Sequence, residues 1–419
     1  MIHNEQDSAP DAYFSSSVLR RFAGPEANEV SLLCRPEPKG PGGIASQTKS
    51  IYRTLRDLLR PEGGGLEHVV QETVYFRNIR EDLSRFQQAR LQVVKESGLD
   101  AFDPASTFIE QQPLNDWARL EISVLAVIPH DQHAAKVWNV WRTSQCVCND
   151  CARIGAQVQF LGGQKYLRAG NIYGASATSY AETYDMFVSA EELLRQEGMD
   201  FRDVVRTWIY LREMDRDYAE FNRGRREFFH DRGIKLHPAS TGIYGAPFPE
   251  GHNFLMGIYA IKSRDPLQVG LMTTPTLNEA WMYGSDFSRG LKVVEANKIA
   301  LYVSGTASVD EAGETAHVGD FDGQVERMIV NISTLLAAQN ASLADLVSAT
   351  TYLKSAEDGP RLRRILQQRG LAGFPHALVK AAVCRPNLLC EMEAIAALPR
   401  PGSDSGGAVK VLTRPGAAG

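Results

Sequence analysis

The chain is short of what several function classes require. Lysine and arginine number 45 against 50 aspartates and glutamates, a formal net charge of −5, and the isoelectric point is about 6.0. No basic surplus exists for a nucleic-acid backbone or an anionic membrane, although a local basic pocket for a small anion is compatible with that balance. No run approaches the roughly 18 apolar residues of a membrane-spanning helix, and the N-terminal MIHNEQDSAPDAY carries no apolar leader segment. We expect a soluble, cytoplasmic protein. Six cysteines in 419 residues are too few for a disulfide framework and are expected to be thiols. The sequence also lacks GxGxxG, Walker-type and HExxH motifs, so nucleotide and metalloprotease readings have no local support.

Three cysteines do cluster, as Cys146, Cys148 and Cys151 in CVCNDC, with His130 and His133 upstream. Their spacing is not the paired CxxC of a structural zinc site, and we expect linker thiols and no metal.

What is present is a threefold repeat. VVRTWIYLREM at 204–214 recurs as VVQETVYFRNI at 69–79 and LVSATTYLKSA at 346–356, which makes Tyr75, Tyr210 and Tyr352 equivalent. Each copy is preceded by an amphipathic helical pattern and followed by a second one that ends in a glycine suited to a helix C-cap. A proline turn comes next, PAST at 104–107 and 238–241 and PHAL at 375–378, then a strand: RLEISVLAVI, NFLMGIYAIK or LCEMEAIAAL. Copies two and three also open with paired strands, QKYLRAGNIYG and KIALYVSGTAS, of which copy one keeps a weak trace around 30–47. The spacing predicts units at about 30–130, 153–265 and 270–400, a linker at 131–152, and flexible tails at 1–29 and 401–419. Each unit is α+β, a mixed sheet with two helices on one face, and three could close around a pseudo-threefold axis.

These units resemble the Rid (YjgF/UK114) superfamily, whose chorismate-mutase-like fold is usually homotrimeric with sites between subunits. Copies two and three are similar to chorismatases in RTWIYL at 206–211, PASTGI at 238–243, YGSDFSRG at 283–290, VSGTASV at 303–309, HVGDFDGQ at 317–324 and CRPNLLCEMEAIA at 384–396. A complete extra N-terminal unit departs from the shorter two-unit chorismatases. We expect that unit to be structural, with Glu121 an interface residue.

Strand alternation puts Glu391 and Glu393 on one face, where a partly buried carboxyl makes a general acid. The resemblance assigns the proton donor to Glu391. Arg206 and Arg289 are candidate carboxylate clamps, and alternation places Arg206 with Trp208 and Tyr210 as a pocket wall. By resemblance Tyr283 contacts substrate. Gly305 and Cys384 match the 3-hydroxybenzoate-forming type, whereas hydrolytic chorismatases carry alanine at both places. Each residue also has a plainer reading: an ion-paired interface carboxylate, a surface arginine, a half-buried tyrosine, a small buried thiol.

The implied activity is conversion of chorismate to 3-hydroxybenzoate and pyruvate between units two and three, without cofactor. Two alternatives stand beside it. One is a Rid-type enamine or imine deaminase, or another enzyme of secondary metabolism acting on a small carboxylate. It would need an arginine after the proline turn, where this chain has Ser106, Ser240 and Ala377. The other is a non-catalytic ligand-binding or scaffold protein; copy two has Leu255 and Met256 near where the glutamate would fall. The expected partner is a small anionic substrate, and the expected assembly a monomeric pseudo-trimer or small homo-oligomer.

Overall fold

A computed structural model describes residues 12–38, 40, 42–131, 133, 135–143, 153–248, 251–278, 286–401 and 410–413. Three mixed sheets share one strand order at their centres. In the first the order is Ala105–Glu110, Val69–Phe76, Leu120–Pro129, Ala27–Cys34, Val18–Ala23. In the second it is Ala239–Tyr244, Val204–Leu211, Phe254–Ser263, Gln164–Ile172, Arg153–Leu161, and in the third His376–Lys380, Leu346–Leu353, Cys390–Leu398, Ile299–Ala307, Gly290–Val294.

The first two strands in each order are parallel and the rest antiparallel. Parallel neighbours need a crossover, and a helix supplies it each time: Ile79–Glu96, Met214–Asp231 or Gly359–Gln368. Each crossover helix packs on a partner, Ile44–Leu59, Ser179–Gln196 or Phe321–Ala337. The helix ends follow from local chemistry. Asn78, Thr178 and Asp320 accept a backbone N–H at three N-termini. Gly98, Gly233 and Gly370 take positive φ just past the crossover helices, where a Cβ would be strained.

The repeat extends to register. Tyr75 lies opposite Glu121, Tyr210 opposite Leu255 and Tyr352 opposite Glu391, and each central strand has a register shift near its start, at Val69/Gln71, Val204/Arg206 and Leu346/Ser348. All three tyrosines are buried in one core drawn from all three sheets, and the Tyr75 hydroxyl lies 3.2 Å from Thr350 Oγ1.

The ends differ from expectation. Residues 18–34 are a largely buried hairpin rather than part of a tail, and Lys410–Thr413 pairs with Val18–Ala23. Arg20 is 8% exposed and donates to the Ala344 carbonyl. The expected linker contributes an edge strand, Lys136–Thr143, paired with Arg153–Leu161. No helix among the described residues is long and apolar enough to cross a membrane.

Candidate active site

The sheets meet at three junctions. Two are made from the same pair of elements, the strand after the proline turn of one sheet and the inner hairpin strand of another, while the first and third sheets meet through Val18–Ala23 and Ala27–Cys34 against Leu346–Leu353. At the first–second junction Phe108 N donates to Asn171 Oδ1 at 3.0 Å, and the position matching Glu391 holds Leu255. At the first–third junction that position is Glu121, 1% exposed. Arg35 Nε donates to it at 3.2 Å and Asn115 at 2.7 Å, while Arg35 Nη2 reaches the His376 carbonyl of the third sheet. An ion pair thus fills this junction.

The second–third junction is open. A cavity of about 310 Å³ lies here, lined by Tyr218, Asn222, Arg225, Arg289, Cys384 and Glu391 among others. Its size is at the lower end of the ~300–1,000 Å³ typical of small-molecule sites. Glu391 sits on Cys390–Leu398 opposite Ala307, where Ile299–Ala307 shifts register between Val303 and Thr306. That irregularity brings Gly305 under the carboxyl: a Cβ there would fall on Glu391 Oε1. A side chain at this position would require the Glu391 carboxyl to swing aside.

The wall behind is fixed by hydroxyls. Ser240 N donates to Ser304 Oγ at 2.9 Å, Thr207 Oγ1 donates to Ser240 Oγ at 2.8 Å, and Gly305 N donates to Thr241 Oγ1 at 3.1 Å. Arg289 is braced by Asn278, with Nε donating to its carbonyl at 2.9 Å and Nη2 to Oδ1 at 3.3 Å. Phe221 and Phe287, which also line the cavity, lie 5.0 and 6.0 Å from the Arg225 guanidinium.

Glu391 is 5% exposed, and its carboxyl makes no hydrogen bond among the described residues. Burial first, then repulsion from Glu393, pushes its pKa up to about 8, with Arg289 and Arg206 opposing. It therefore carries a proton at neutral pH. Cys384, hydrogen-bonded by Tyr218, is pushed up to about 12 by burial and by Glu391, so it is a neutral thiol and no nucleophile.

The structure divides the residues expected to form one site. Glu391, Cys384, Arg289 and Gly305 come together at this cavity. Arg206, Trp208, Tyr210 and Glu393 line a second, inner cavity of about 110 Å³ between all three sheets. Arg206 is 1% exposed and bound to Glu393 at 2.5 Å, so this guanidinium is occupied as an internal ion pair. Glu391 and Glu393 do share a strand face, but two residues advance a strand by about 6.6 Å, enough to carry the second carboxyl past the Thr241 wall. Tyr283, Cys146, Cys148 and Cys151 lie outside the described residues.

The residues that sequence reasoning missed are Tyr218, Phe221, Asn222 and Arg225, all lining the cavity from Met214–Asp231. Their spacing, i, i+3, i+4 and i+7, is one helix face. In a helix read only as a packing element, Asn222 and Arg225 in that stripe were the legible signal.

The Endoribonuclease L-PSP family profile matches residues 286–398. A RutC family protein of Pyrococcus abyssi is 34% identical over 98 residues, 23% of this chain and 76% of that protein. A chorismatase of Streptomyces rapamycinicus is 26% identical over 295 residues, 64% of this chain and 83% of the relative. A chorismatase crystal structure superposes with a TM-score of 0.57 at 18% identity, covering 79% of this chain and 93% of the other, which shows a shared fold. The chain thus belongs to the RutC (Rid, L-PSP) family and resembles chorismatases over about two thirds of its length.

Proposed function

We propose that the protein is a cofactor-independent enzyme of the lyase or hydrolase type that acts on chorismate at the second–third junction. Its fold is read as three Rid-like units in a pseudo-trimer, the first of them structural. The observation that carries the reading is Glu391: the same place holds leucine at one junction and an ion-paired glutamate at another, and here a buried carboxyl facing a cavity, its pKa pushed up by burial to about 8. A proton is what an enol ether needs to lose its pyruvyl group.

Glu391 donates that proton to the terminal methylene of the enolpyruvyl ether, giving an oxocarbenium ion. The ring hydroxyl captures this ion; loss of a ring proton, which returns to Glu391, then expels pyruvate and leaves 3-hydroxybenzoate, with no net water consumed. Hydrolysis would instead consume one water and leave a dihydrodiol. Arg289 and Arg225 hold the substrate's two carboxylates through charge-assisted hydrogen bonds, and Phe221 and Phe287 flank the ring. Gly305 and Cys384 leave room beside the acid, Cys384 as a neutral thiol. Ser240 stands where a Rid deaminase would carry its arginine, so that chemistry lacks its usual clamp.

The test is NMR of chorismate incubated with purified protein. Pyruvate with 3-hydroxybenzoate supports the reading. A dihydrodiol keeps the enzyme class and refutes the use made of Gly305 and Cys384, and intact chorismate overturns the reading.

Two expectations follow. Activity requires protonated Glu391, so kcat holds below its pKa of about 8 and falls as pH rises through it; a rate flat to pH 10 would contradict the assignment. Arg289→Gln removes a desolvated clamp, a loss of about 2–5 kcal/mol, so kcat/KM for chorismate drops on the order of 100-fold. Because Arg289 opposes the rise in Glu391's pKa, the alkaline limb of this variant moves to higher pH.

A further inference from the structure

We propose that Glu393 and Arg206, which line the inner cavity out of the substrate's reach, act as positioning residues that set the proton affinity and the seat of Glu391 from behind the pocket wall. The inference rests on the reading of Glu391 as the acid. It turns on a relay of contacts. Arg206 Nη2 donates to Glu393 Oε2 at 2.5 Å and to Thr241 Oγ1 at 2.6 Å, and Thr241 Oγ1 also accepts Gly305 N at 3.1 Å. Gly305 is the surface on which the Glu391 carboxyl rests. Glu393 thereby anchors Arg206, Arg206 anchors Thr241, and Thr241 fixes the floor under the acid.

The anchor is one-sided. Arg206 Nε and Nη1 are buried without hydrogen-bond partners, and the guanidinium lies 5.0 Å from the centre of the Trp208 ring. Glu393 is therefore its counter-ion, and a buried guanidinium without one is strongly destabilising. The pair comes from different sheets, Arg206 on Val204–Leu211 and Glu393 on Cys390–Leu398. It thus ties the two walls of the pocket together.

The charged and titratable groups around Glu391 fall into two sets. Arg289, Arg225, Arg385, Tyr218 and Cys384 face it from the pocket; Glu393 and Arg206 act from behind and Cys390 is its neighbour on the strand. Substrate screens the first set when it binds. The rear pair stays in place throughout turnover, with Glu393 favouring the protonated acid and Arg206 opposing.

The test needs no turnover, so it separates this inference from the substrate assignment. An infrared pH titration of the full chain identifies the Glu391 carboxyl as the band missing from Glu391→Gln. In Glu393→Gln the midpoint of that band falls, since the like charge that disfavours the ionised form of Glu391 is gone. Glu393→Asp keeps the charge and holds the wild-type midpoint. The double variant Glu393→Gln/Arg206→Gln, which leaves no buried charge unpaired, recovers most of the shift. An unmoved midpoint in both glutamine variants, or the same fall in the double variant as in the single, overturns the proposal. If chorismate is turned over, Glu393→Gln also moves the alkaline limb down with KM within about threefold. A KM raised tenfold at an unmoved limb would instead make Glu393 a substrate ligand and overturn it.

Discussion

Glu391→Gln is expected to leave a folded protein that releases pyruvate from chorismate about 10²–10⁴-fold more slowly, the usual range for a lost general acid. The amide preserves the shape beside Gly305 and Ala307 and removes the transferable proton. Stability separates this from damage to the fold. The folded pKa of about 8 lies above the model carboxyl value of 4.5, so between those values the folded state holds a proton that the unfolded chain has released. Stability contributed by this group is therefore present below about pH 4.5 and declines as pH rises towards 8. The glutamine variant escapes that decline. It should melt no lower than its parent at pH 8, with the difference closing at acid pH. A variant that melts well below its parent, or one that keeps full activity, would contradict the assignment.

Arg35→Ala is expected to cost about 3–5 kcal/mol of stability, because it leaves one partner of a buried ion pair uncompensated. The Arg35 and Glu121 side chains are 3% and 1% exposed. Arg35 also donates to the carbonyls of Ser16 and His376, so it joins the N-terminal segment, the first sheet and the third. Arg35→Ala/Glu121→Gln should regain part of the loss, because no charge is then stranded. Urea melts of the two variants measure it. Rates per folded molecule should be close to wild type in both, because Glu391 lies at a different junction. A selective loss of turnover would mean that the first sheet shapes the reactive pocket.

Much of the fold was legible because the repeat is written in local chemistry. The glycines past the crossover helices, the polar caps and the tyrosine in each central strand recur in the letters as in the coordinates. The N-terminal hairpin was not legible, since Arg20 reads as solvent-facing until a backbone carbonyl from a distant part of the chain is brought to it. The division of the site was hidden for a related reason. Alternation along one strand correctly put Glu391 and Glu393 on a common face, but the wall between them comes from Thr241 on another sheet, a separation that periodicity does not encode. Arg206 looked like a ligand clamp for want of its partner, 187 positions away.

The most direct test of the central claim is a crystal structure of the Glu391→Gln protein soaked with chorismate. The account predicts the ligand at the second–third junction, its enolpyruvyl methylene about 3–3.5 Å from the substituted side chain and its carboxylates on Arg289 and Arg225. Chorismate beside Arg206 and Glu393 in the inner cavity, or at the first–third junction beside Glu121, would contradict it.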